Sequence, residues 1–153
     1  MSISSNLKAL GIELVKAPEA KGSYTPTLLV DGTLYVSGTL PLVGDEILHP
    51  GVVGVDITLD EAREAAHQCM VNMLSRLSTD LGDLERIERW VKLTGFVASA
   101  PGFNSQPQVI NAASDLVVGI FEDAGVHTRS AVGVAALPMA APVEIEAIIK
   151  VRV

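Results

Sequence analysis

The chain has 153 residues, 48% of them hydrophobic and 19% charged, with a formal net charge of −7. That size and balance fit one folded domain (residues 1–153) able to bury its own core, and exclude a disordered chain. The acidic balance and the lack of any basic run argue against nucleic acid as a partner, and a single cysteine excludes an internal disulfide or a CxxC-type zinc site.

Residues 1–6 lack the charged start and apolar stretch of a signal peptide, and no apolar run approaches the ~20 residues needed to span a bilayer. With one cysteine, a reducing cytoplasm is the expected location. The first clear element is Thr27–Val30, then Asp31-Gly32, then Thr33–Ser37. Asp-Gly between two apolar runs predicts a hairpin, because a type I′ turn needs positive φ at both positions. Gly38 and Pro41 are expected to end the second strand, and residues 42–57 read as a loop.

Thr58 and Glu61 have the spacing of a capping box, so a helix is predicted from there to near Gly82. Its apolar stripe is Ala62, Ala66, Cys69, Met70, Met73, Leu74 and Leu77. A strand follows around Trp90–Ala98, then a second helix from about Pro107 to Ala124 with Gly125 after it. That helix is apolar beyond its stripe, at Ala112, Val118 and Gly119. A second apolar side in a chain this small predicts contact with another subunit. Two strands, Arg129–Leu137 and Val143–Val153, close the chain. Period-2 alternation puts Glu144 and Glu146 on one strand face. The order β-β-α-β-α-β-β predicts an α+β fold, a mixed sheet with two helices packed on one face.

The chemistry-bearing residues are few. His49, His67 and His127 share no metal-ligand spacing with one another or with a carboxylate, so no metal is expected. Cys69 falls inside a helix stripe and reads as a small buried hydrophobe. No GxSxG elbow, P-loop or GxGxxG is present. Arg129 opens a strand of small apolar residues and needs either an acidic partner or an anionic ligand, because an unpaired buried charge is costly. Residues alone favour a structural salt bridge for Arg129, and solvation or pairing with Lys150 or Arg152 for Glu144 and Glu146.

Four stretches resemble the RidA (YjgF/YER057c/UK114) family: Gly22-Ser23-Tyr24, Val36 to Pro41, Arg129-Ser130, and Val143 to Ala147. The resemblance covers nearly the whole chain, and Arg-Ser with Glu-Ile-Glu-Ala is its most specific part. It implies a chorismate-mutase-like fold, a homotrimer with pockets between subunits, and no cofactor. It also implies hydrolysis of reactive enamines and imines to 2-keto acids and ammonia. By resemblance, Arg129 binds the carboxylate of a small-molecule substrate. Tyr24 and Glu144 line the same pocket, and Ser37, Gly38, Thr39, Asn111 and Ser130 help to hold the ligand.

The chain departs from the best-known members at Thr39, where they have glutamine, and at Ala131, where they have cysteine. It is also longer, with extra residues around 42–57 and 99–107. Two other functions compete with imine hydrolysis. One is non-catalytic binding of small carboxylates such as keto acids, which keeps Arg129 without turnover. The other is an endoribonuclease or translation inhibitor, against which the acidic balance and the 4% aromatic content argue.

Overall fold

The structure, a computed structural model, describes residues 2–153. In chain order the elements are α1 (Ile3–Ala9), β1 (Thr27–Val30), β2 (Thr33–Thr39), β3 (Leu42–Val43), β4 (Glu46–Ile47), α2 (Leu59–Leu81), β5 (Ile87–Ala98), α3 (Gln106–Phe121), β6 (Thr128–Val134) and β7 (Val143–Val151). Five strands form a mixed sheet in the order β1-β2-β7-β5-β6. The β5–β6 pair is parallel and the other three pairs are antiparallel. With the two long helices packed on one face of this sheet, the fold is α+β.

Alternation decides which face is covered. Val143, Ile145, Ala147, Ile149 and Val151 of β7 are all buried, as is the whole predicted stripe of α2 from Ala62 to Leu77. α3 adds Val109, Ile110, Ala113, Leu116, Val117, Ile120 and Phe121. These residues form one core cluster between the two long helices and the sheet. Each large aliphatic side chain buried there contributes about 1.5–3 kcal/mol. Among the described residues, no helix covers the opposite face of the sheet. That face presents Leu28, Tyr35 and Val132, each more than 40% exposed, among Lys92, Thr94, Phe96, Glu144, Glu146 and Ile148.

Local signals explain the boundaries that were predicted. Asp31 and Gly32 have φ of 47° and 72°, the two positive values the hairpin turn requires. Thr58 Oγ1 accepts from the Glu61 amide while Glu61 accepts from the Thr58 amide, so the capping box is closed on both sides. Gly82, at φ 77°, ends α2.

Elsewhere the structure differs from the sequence reading. β2 runs through Ser37 and Gly38 to Thr39, with its register against β7 shifting between Val36 and Thr39. That irregularity lets the strand continue across a glycine. Residues 42–57 include the β3–β4 hairpin. β5 begins three residues earlier than expected and β6 ends at Val134. α3 stops at Phe121, where Glu122 takes the left-handed position at φ 52° and a 3-10 turn continues to Gly125.

The N-terminal α1 is a helix the sequence did not announce. It has seven residues, too few to be stable alone. It is held by its docking: Asn6, 5% exposed, donates through Nδ2 to the Ile120 carbonyl at 2.8 Å. Beyond it, the Val15 amide donates to Ser75 Oγ and the Ala17 amide to Thr79 Oγ1, tying the following segment to α2. Leu10 lies against Gly119. Part of the second apolar side of α3 is therefore covered by this chain's own N-terminus, while Val118 stays 40% exposed.

Candidate functional site

The predicted site residues fall into two groups. The first lies on the open face, around β2 and β7. Glu144 is half-buried and carries its carboxylate directly over Gly38, where a Cβ would overlap Oε1. Only glycine leaves room for the carboxylate at that point. Ser37, one residue earlier, donates from its amide to the Pro26 carbonyl and from Oγ to the Thr25 carbonyl at 2.7 Å. Thr39 Oγ1 donates back to the Ser37 carbonyl. Tyr24 precedes Thr25, is 59% exposed and packs its ring near Gly22. Gly38 therefore meets the Glu144 carboxylate directly, with Ser37 next to it, whereas Thr39 pairs in register with the buried Ile145 on the helix-covered face.

Glu144 has no hydrogen-bond or ion-pair partner among the described residues, and neither does Glu146 two positions on. The expected cations are engaged elsewhere: Lys150 donates to the Asp31 carbonyl and Arg152 to the Glu85 carbonyl. Partial burial, and then the like charge of Glu146, raise the Glu144 carboxyl above the ordinary glutamate value.

The second group lies on the helix-covered side. Arg129 pairs in register with Leu93 on β5, and Leu93 with Ala147 on β7, both buried under the helices. Its guanidinium reaches α3. Nη1 donates to Asn111 Oδ1 at 2.8 Å and to Ser114 Oγ at 3.1 Å, and Nη2 donates to the Pro107 carbonyl at 3.4 Å. All three acceptors are neutral. Among the described residues Arg129 has no carboxylate partner, so the salt bridge favoured by sequence is not formed. Of its five N–H donors, the Nε–H and one Nη2–H stay free.

Arg129 and Asn111 are thus together. Ser130 points the other way, across Thr94 from Glu146 on the open face. Two residues beside Arg129 were not singled out as site residues. Ser114 follows Asn111 by three positions, on the same helix face. His127 precedes Arg129 by two and bonds to Ser114. The polar pair at i, i+3 was the available signal.

Cys69 is fully buried, its thiol raised well above the usual value chiefly by desolvation, so it is inert packing. Among the described residues no group of three or more His, Cys, Asp or Glu could hold a metal ion, and no helix is long and apolar enough to cross a membrane. Two surface clefts, of about 380 and about 510 Å³, are lined by neither Arg129 nor Glu144.

Residues 4–146 match the family described as "YjgF/chorismate_mutase-like, putative endoribonuclease". The chain is 39% identical over 151 residues to Protein TCP17 of Trypanosoma cruzi, spanning 98% of this chain and 94% of that protein. It is 32% identical over 139 residues to the 2-iminobutanoate/2-iminopropanoate deaminase of Capra hircus, spanning 90% of this chain and 86% of that enzyme. Among solved structures, protein Atu1372 of Agrobacterium tumefaciens is 43% identical and superposes with a TM-score of 0.91, spanning 98% of this chain and 92% of that one.

Proposed function

The chain belongs to the YjgF/RidA family, and on that premise we propose that it hydrolyses small 2-imino acids to 2-keto acids and ammonia, at sites shared between subunits of a homotrimer. One observation carries this reading. Arg129 is held by three neutral acceptors and no carboxylate, with two N–H groups left to grip an anion. A substrate carboxylate is the charge this arrangement lacks.

The reaction needs little else. Water adds to the C=N carbon of the iminium, and the resulting carbinolamine expels nitrogen as ammonia. The two iminium hydrogens and the two from water leave with it as ammonium, and the water oxygen becomes the keto oxygen. An iminium carbon is already electrophilic, so the reading requires no metal, cofactor or nucleophilic side chain. Orientation of the fixed carboxylate against one water can supply several kcal/mol of barrier reduction. A carboxyl such as Glu144, its pKa raised above the ordinary glutamate value, can take a proton from that water and pass one to the departing amine.

Arg129 and Glu144 face opposite sides of the sheet, so one chain cannot present both to one small molecule. In the proposed trimer, Arg129 and Asn111 of one subunit meet Glu144, Gly38 and Tyr24 of the next. The exposed apolar side chains Leu28, Tyr35 and Val132 on the open face support such association. The test is imine hydrolysis, with the imine generated in situ, beside RNA cleavage on the same preparation. Hydrolysis without RNA cleavage is expected. Keto acid binding without turnover would leave a binding protein, and RNA cleavage alone would replace the reading.

A further inference from the structure

Arg129 is the end of a longer chain of hydrogen bonds. His127 Nδ1 lies 2.6 Å from the Gly125 carbonyl, and His127 Nε2 lies 2.9 Å from Ser114 Oγ. Ser114 Oγ in turn accepts from Arg129 Nη1 at 3.1 Å. The first contact sets the direction of the rest. A carbonyl oxygen only accepts, so Nδ1 carries the hydrogen and, in the neutral ring, Nε2 is an acceptor. The Ser114 hydrogen then points to Nε2, and the oxygen lone pairs turn to the guanidinium. The anchor is rigid: Gly125 is buried so close to α3 that a Cβ would come within 2.6 Å of the Val117 carbonyl oxygen.

We infer that His127 is a positioning residue: through Ser114 it fixes the guanidinium of Arg129 in the orientation that grips a substrate carboxylate. The inference rests on the reading of Arg129 as the carboxylate-binding group. Without the imidazole acceptor, the Ser114 hydroxyl is free to rotate, and one of the three acceptors that hold the guanidinium loses its orientation. Neither His127 nor Ser114 touches substrate in this scheme.

The probe is 2-oxobutanoate, titrated calorimetrically into the full-length protein, with KM and kcat for imine hydrolysis and thermal melting measured alongside. His127→Phe and Ser114→Ala should each weaken 2-oxobutanoate binding and raise KM by roughly 2–12-fold, the loss of one neutral hydrogen bond, with kcat changed less. His127→Gln should restore binding, since its side-chain oxygen can accept from Ser114. The double variant should be no worse than either single one, because the two residues act in series. In an Arg129→Lys background, His127→Phe should add nothing. Wild-type affinity in folded Ser114→Ala and His127→Phe, with affinity lost in Arg129→Lys, overturns the positioning role alone. Wild-type affinity in Arg129→Lys overturns both the role and the reading beneath it. Should His127→Phe not fold, Ser114→Ala decides the matter by the same outcomes.

Discussion

Arg129 and Glu144 lie on opposite faces of the same sheet, Arg129 in register with the buried Leu93 and Glu144 with Phe96 on the open side. Strand alternation imposes this: Leu93 and Phe96 are three positions apart on β5, an odd number, so their side chains leave by opposite faces. A site that uses both residues therefore needs two copies of the chain.

Subunit mixing tests that geometry. Arg129→Ala and Glu144→Gln are each expected to be inactive, yet co-expressed or co-refolded they should recover activity. With random exchange about a quarter of sites receive an intact Arg129 from one subunit and an intact Glu144 from the next. Sedimentation of the wild type should give a trimer. A monomer, or no recovery in verified mixed oligomers, would count against shared sites.

Arg129→Lys keeps the charge but loses the planar fork. A charge-assisted hydrogen bond contributes about 1.5–3 kcal/mol, so kcat/KM on 2-iminopropanoate should fall roughly 10–150-fold. Melting should change little, since no carboxylate partner is abandoned. Equal kcat/KM in a folded variant would return Arg129 to a structural role.

Gly38→Ala places a methyl where Glu144 Oε1 sits. The carboxylate must swing away, so imine hydrolysis should drop sharply while keto acid binding at Arg129 is weakened less. Unchanged turnover would show that the Glu144 position over Gly38 is not used.

Glu144→Gln should raise the melting temperature at neutral pH. The folded-state pKa is raised by partial burial and by Glu146, so the folded chain binds more protons than the unfolded one between the ordinary and the raised values. Stability then falls as pH rises through that window. The neutral amide removes the fall, and the two melting curves should converge at acid pH below the ordinary glutamate value. A lower melting temperature for the variant at neutral pH would reverse the sign argued here.

Thr58→Ala opens the capping box of α2. The expected cost is about 1 kcal/mol, or about 2–4 °C in Tm, with imine hydrolysis unchanged. Loss of activity without loss of stability would tie this helix start to the site.

Long periodic segments were readable from sequence because the physics that shapes them is local. The stripe of α2, its capping box and the alternation of β7 are each complete within one element. α1 was not readable, since Asn6 finds its partner Ile120 from 114 positions away. Ser37-Gly38 looked like a strand end because a glycine there has no pattern of its own; its place is set by Glu144 on the neighbouring strand. The shared face of Glu144 and Glu146 followed from alternation alone. The aim of Arg129 did not, because Ser130, Ala131, Val132, Gly133 and Val134 are small on both faces and hydropathy cannot tell the faces apart. The packing of α3 against β6 decides it.

The sealed position of Cys69 has a practical consequence. The only thiol of the chain is fully buried, with its pKa raised, so thiol-reactive dyes and spin labels leave the native protein unmodified. A single cysteine introduced at the surface, for instance Val118→Cys on α3, would carry one label per chain without first removing the native residue. Energy transfer or spin–spin distances between such labels would then report, in solution, how copies of the chain stand to one another.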